Sequence, residues 1–142
     1  MTDSASLEGI YKDLENEHRR LMKLVDRLRV QDSMNGLLPL LDELRILLIV
    51  HFAREQLPDG FYEALGKRAD DRRDEIQALI ADHGEILSFM NALLEDATTA
   101  APDMEADVLS RVAKLADQLR EHELREHHFA EHVMAKGGGA GD

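Results

Sequence analysis

A chain of 142 residues has room for one core of ordinary size and hardly for two. Its 44% hydrophobic and 32% charged residues, with only three prolines, suit a folded helical domain rather than a disordered chain. A formal net charge of -12 would repel a phosphate backbone, which argues against nucleic acid as a partner. The lack of any cysteine excludes disulfides, thiolate metal sites, iron-sulfur clusters and a cysteine nucleophile, so a metal here must use nitrogen and oxygen ligands.

Leu7, Tyr11, Leu14, His18, Leu21, Val25 and Leu28 recur in steps of four and three, one face of a first long helix. Gln31 to Gly36 reads as a turn, after which Leu37, Leu41, Leu44, Leu48, His51 and Glu55 repeat the stepping, with Pro39 near the first turn of this second helix. Pro58-Asp59-Gly60 breaks the pattern, and Phe61 to Leu65 is expected as a short helical piece before the charged segment Lys67 to Glu75. The third helix carries the stripe Ile76, Ile80, His83, Leu87, Met90 and Leu94 and is predicted to end near Asp96. Val108, Val112, Leu115, Leu119, His122, Glu126, Phe129 and Val133 then trace a fourth helix to about Lys136.

The expected fold is all-α, an antiparallel up-down-up-down four-helix bundle over residues 1–136, with a flexible glycine-rich tail over 137–142. The longest apolar run, Ile46 to Val50, is far short of the roughly 20 residues that span a bilayer. The opening MTDSASLEG lacks the basic and apolar regions of a secretory signal, so no membrane association and a cytoplasmic location are expected. Counting at 1.5 Å per residue, His18 and His51 fall about 18 and 21 Å from their shared turn. His83 and His122 fall about 20 and 29 Å from theirs, a mismatch that requires the fourth helix to overhang.

One histidine, His18, His51, His83 or His122, stands on each predicted stripe, where leucine would pack better. A single histidine on an apolar face is usually a hydrogen-bonded core residue. Four near one depth are different, because Glu55 and Glu126 follow His51 and His122 by one turn and buried carboxylates need a cation. Six imidazole and carboxylate ligands exceed the needs of one tetrahedral zinc and suit two ions sharing the two glutamates as bridges, with an oxo or hydroxo group between them. Iron matches best, although manganese or zinc can occupy such ligands in vitro.

Other motifs fit poorly. A ferritin-type site needs two Glu-x-x-His pairs, and only Glu15 with His18 is present. His122 to His127 resembles the zinc-protease motif, but its second histidine comes five residues later instead of four. There is no phosphate-binding glycine loop and no Ser-His-Asp pattern.

At His18, His51-Phe52-Ala53-Arg54-Glu55, His83 and His122-Glu123-Leu124-Arg125-Glu126 the chain resembles the hemerythrin family, including its bacterial "HHE" cation-binding relatives, from about Leu7 to Met134. The resemblance implies a di-iron core that meets dioxygen, with the four histidines as terminal ligands and Glu55 and Glu126 bridging. The sequence departs from the oxygen carriers in two places. Leu87 stands where they have a further histidine ligand, and His127 stands where they place an aspartate, leaving Glu126 as the carboxylate.

On this reading the protein binds or senses dioxygen or buffers iron. An enzyme that decomposes peroxide or nitric oxide at the same centre is the alternative, and a metal-free helical interaction module a third. Only Glu55 and Glu126 are expected to share a face with ligand histidines, unlike Glu123 and Glu131. Tyr11, a heptad before His18, is a core residue or a donor to the site, and Phe61 and Tyr62 are expected to cap the bundle. Met22, Met90 and Met134 read as packing residues. His127, His128 and His132 crowd the end of the last helix, where positive charge favours the dipole.

Overall fold

A computed structural model describes residues 7–58 and 60–140, with side chains as far as residue 135. Helices α1 (Leu7–Arg29) and α2 (Met34–Gln56) make a first hairpin; after the short α3 (Phe61–Arg68), helices α4 (Arg73–Thr99) and α5 (Glu105–Ala140) make a second. Single 3-10 turns at Asp70–Arg72 and Pro102–Met104 precede α4 and α5, and there is no strand among the described residues. Helix α1 packs on α2 and α5, and α4 packs on the same two, closing an antiparallel four-helix bundle. No described helix is long and apolar enough to cross a membrane.

Helix ends depart from the sequence reading for local reasons. Ser33 is extended and Leu37 N–H bonds to its carbonyl at 3.2 Å, so α2 begins at Met34 and takes in half of the expected turn. Pro39 therefore lies in the second helical turn, on its exposed face. Helix α4 continues past Asp96 to Thr99, and the Thr98 and Thr99 hydroxyls donate back to the carbonyls of Leu94 and Glu95. His83 now stands 16 residues before Thr99 and His122 17 after Glu105, about 24 and 26 Å, and the depth mismatch disappears. Helix α5 runs to Ala140 through three glycines, each costing about 1 kcal/mol relative to alanine, where the sequence reading placed a flexible tail; residues 141 and 142 of that tail lie outside the described residues.

The interior is divided into layers. One apolar cluster gathers Leu21, Val25, Leu41, Leu48, Met90, Leu115 and their neighbours, and another gathers Leu7, Leu14, Phe61, Leu79, Phe129 and Val133. Along α1, α4 and α5 His18, His83 and His122 fall between residues of these two clusters, and His51 of α2 lies beside Phe52 at the edge of the first, so apolar packing on both sides holds a polar layer in the middle. The stripes of α1, α2 and α5 are those the periodicity predicts. On α4 the fully buried line instead runs through Ile76, Leu79, His83, Ile86, Met90 and Leu93, one residue away from Ile80, Leu87 and Leu94. Those three pack half-buried at its edge, so the expectation that position 87 lies on the central stripe is corrected.

Gly60 fixes where α3 begins. It bonds to Leu57 O at 2.8 Å, and a Cβ there would sit 2.5 Å from Arg54 O and 2.7 Å from Leu57 O, both backbone atoms that cannot move alone. Gly60→Ala is therefore expected to cost about 1–3 kcal/mol, read as a lowered denaturation midpoint; an unchanged midpoint would show that the loop has slack.

Candidate metal centre

Between the two apolar clusters α1 contributes His18, α2 His51 and Glu55, α4 His83, and α5 His122 and Glu126. His51, Glu55, His83, His122 and Glu126 are each no more than 2% exposed, and the His18 side chain is 12% exposed. The six residues singled out from the sequence thus lie in one polar layer. Glu123 joins them at 7% exposure, its Oε1 2.7 Å from His18 Nε2. The expectation that Glu123 points away is corrected, because the buried band of α5 is wider than one stripe: Ala116, Glu123 and Ala130, a heptad apart, are all buried on its flank.

These side chains offer two overlapping sets of donors. One is His18, His51, Glu123 and Glu126; the other is Glu55, His83, His122 and Glu126; within each set one atom per residue lies within 4.8 Å of all the others. Both glutamates opposite the histidines reach both sides. Glu55 turns Oε2 to His51 Nε2 at 3.5 Å and Oε1 to His83 Nε2 at 3.1 Å, and Glu126 turns Oε1 to His18 Nε2 at 3.1 Å and Oε2 to His122 Nε2 at 3.8 Å. The inward nitrogens of His18, His51 and His122, both oxygens of Glu55 and Glu123, and Glu126 Oε1 have no hydrogen-bond partner. Buried polar atoms seldom go unpaired. So many converging in one place fit a cation.

The outward ring nitrogens are held by second partners. His51 Nδ1 donates to Glu17 at 2.8 Å, His83 Nδ1 to Gln56 Oε1 at 2.5 Å and His122 Nδ1 to Asp82 at 3.2 Å. Each such bond places the proton outside and leaves Nε2 as a lone pair facing in, the arrangement that orients imidazole ligands. Arg54 in turn pairs with Glu17, and Arg125 with Asp82 at 2.7 Å. Phe52 stacks on His83 with ring centroids 3.7 Å apart and fixes that ring from one face.

Sequence reasoning placed Tyr62 as a cap, and it does pack beside Phe61, which stacks on Tyr11. Its hydroxyl, however, enters the cluster: it donates to Glu126 Oε2 at 2.5 Å and lies 2.9 Å from His83 Nε2. The Tyr11 hydroxyl instead meets His127 Nδ1. His128 and His132 line a separate surface groove with Arg72 and Phe129. Met90 is fully buried, while Met22 and Met134 pack half-buried, all three as packing residues.

Crowding sets the charge of the layer. Burial disfavours charge on His18, but the carboxylates of Glu123, Glu126 and Glu55 outweigh it and push the imidazole up to about 12. Burial, reinforced by His122, pulls His83 down to about 3, and burial also lowers His51. Burial and the nearby Glu126 hold Glu55 well above the carboxylate range. Burial opposes ionisation of Glu126, yet the Glu55 and His18 side chains beside it keep it below that range. Without a cation the layer therefore carries a proton on His18.

A metal must displace that proton. The metal-free state holds more protons than the loaded one, so lowering the pH favours metal release. Apparent affinity for a divalent ion is expected to fall by about tenfold per pH unit near neutrality, the factor for the one proton displaced from His18. Titration at several pH values measures this, and a flat profile would contradict the protonation assigned here.

An all-helical bundle with a buried layer of imidazoles and carboxylates that can hold cations defines the class of protein. The family model of the hemerythrin HHE cation-binding domain matches residues 9–131, and the chain belongs to that family. Neither the curated proteins nor the solved structures yield a match to this chain.

Proposed function

We propose that the chain is a non-haem di-iron protein of the cytoplasm that binds or senses dioxygen, or buffers iron. The observation that carries this reading is the pair of donor sets that share Glu126, with Glu55 also facing both sides. His18, His51 and Glu123 would hold one iron and His83 and His122 the other, with Glu55 and Glu126 between them. Iron supplies redox chemistry and an open coordination position for a small ligand.

The chain's own residues determine what reaches it. Glu55, His83, His122 and Glu126 are sealed from solvent, whereas His18 and Glu123 line a groove of about 430 Å³ between α1 and α5, beside Glu15, Arg19 and Met22. That groove gives a small molecule an approach on the His18 side. Access of this kind also suits the second reading, decomposition of peroxide or nitric oxide.

Iron-loaded protein prepared without oxygen, then exposed to dioxygen, peroxide and nitric oxide, separates the readings. Reversible optical cycling with dioxygen supports binding or sensing, and sustained consumption of peroxide or nitric oxide supports the enzyme. Retained iron that answers to none of the three leaves iron buffering.

A further inference from the structure

Tyr62 is one of two tyrosines in the chain, 4% exposed, and sits in the first turn of α3. Its oxygen lies 2.9 Å from His83 Nε2 and 2.5 Å from Glu126 Oε2, and Glu55 Oε1 lies 3.1 Å from the same His83 nitrogen. The hydrogens around it can be counted. His83 Nδ1 already donates to Gln56 Oε1, so in a neutral ring Nε2 is a bare lone pair. The phenol has a single hydrogen, directed at Glu126. A ring nitrogen and a phenolic oxygen therefore face each other with no hydrogen left between them, beside two carboxylate oxygens. Such convergence of lone pairs is stabilised by a cation that all of them touch. The spacing agrees: two donors at right angles, each about 2.1 Å from one ion, are about 3.0 Å apart.

We infer that Tyr62 is an oxygen ligand to the ion held by His83 and His122, supplying the donor that Leu87 cannot. The inference rests on the proposed metal centre. Leu87 packs half-buried against the apolar cluster, whereas the Tyr62 hydroxyl approaches the same imidazole from α3. Gly60 sets that approach, because it lets the chain pass close over the end of α2 and start α3 with its second residue above His83. On coordination the oxygen–metal bond replaces the O–H bond, and the phenolic proton leaves to solvent, as it does for any ligand that binds as its anion. Tyr11, whose hydroxyl is engaged by His127, has no such role.

The test is the visible absorption and resonance Raman spectrum of ferric-loaded protein, with iron counted in the same samples. Wild type and Tyr11→Phe are expected to show a phenolate-to-iron charge-transfer band with enhanced tyrosine ring modes, and Tyr62→Phe to lose both completely. Because the chain has only two tyrosines, a band that survives Tyr11→Phe belongs to Tyr62 even if Tyr62→Phe retains less iron. A wild-type protein that keeps its iron without the band overturns this inference and leaves the metal centre standing. A band that persists in Tyr62→Phe also overturns it. Failure of wild type to retain iron overturns both.

Discussion

Replacing Glu126 by alanine is expected to weaken iron retention by about 100-fold or more, since even residues one step removed from a metal commonly contribute 10- to 100-fold. Glu126 directs one oxygen to His18 and the other to His122, so its removal takes a donor from both sets at once. Glu55, which faces His51 with one oxygen and His83 with the other, is expected to behave alike. Glu123 belongs to the His18 set alone, and Glu123→Ala should weaken one ion and spare the other. Glu131 is exposed and serves as the control. Iron per chain, measured after desalting, gives the order directly. Equal retention in Glu126→Ala and Glu131→Ala would contradict the placement of α5.

Removing the metal should have the largest effect on stability. The polar layer gathers three buried carboxylates and four imidazoles, three of them buried, and without a cation their mutual repulsion and desolvation are only partly relieved by a proton on His18. An ion that binds only the folded state, present at about 1,000 times its dissociation constant, adds about 4 kcal/mol. For a domain of this size that is on the order of 10 °C in melting temperature. Calorimetry of loaded and chelator-treated protein at one pH measures the difference, and coincident melting would argue against a buried centre.

Much of this arrangement is written in the spacing of single residues. His18, His51, His83 and His122 are legible because each interrupts a run of leucines at helical spacing, and Glu55 and Glu126 because they repeat the spacing one turn later. Glu123 was hidden since a stripe drawn through Leu119, His122 and Glu126 leaves it at the edge, and only Ala116 and Ala130, small residues a heptad to either side, hint that this edge is buried. The rotation of α4 was hidden for another reason. Leu79-Ile80, Ile86-Leu87 and Leu93-Leu94 are adjacent apolar pairs, so either member satisfies the periodicity, and only packing against α2 and α5 chooses between them. Tyr62 lies in a helix of eight residues, too short for a periodic signal. Its position depends on the close passage of Gly60 over the carbonyls of Arg54 and Leu57, and the break at Pro58-Asp59-Gly60 marks that turn without showing which way Tyr62 faces.

The central claim is that two iron ions share one buried layer of the bundle. Elemental analysis of protein reconstituted with ferrous iron without oxygen and freed of loosely held metal tests it most directly. The account predicts about two irons per chain, a number set by the two donor sets. Retention of one iron would contradict the shared-carboxylate arrangement, and retention of none would contradict the metal centre itself.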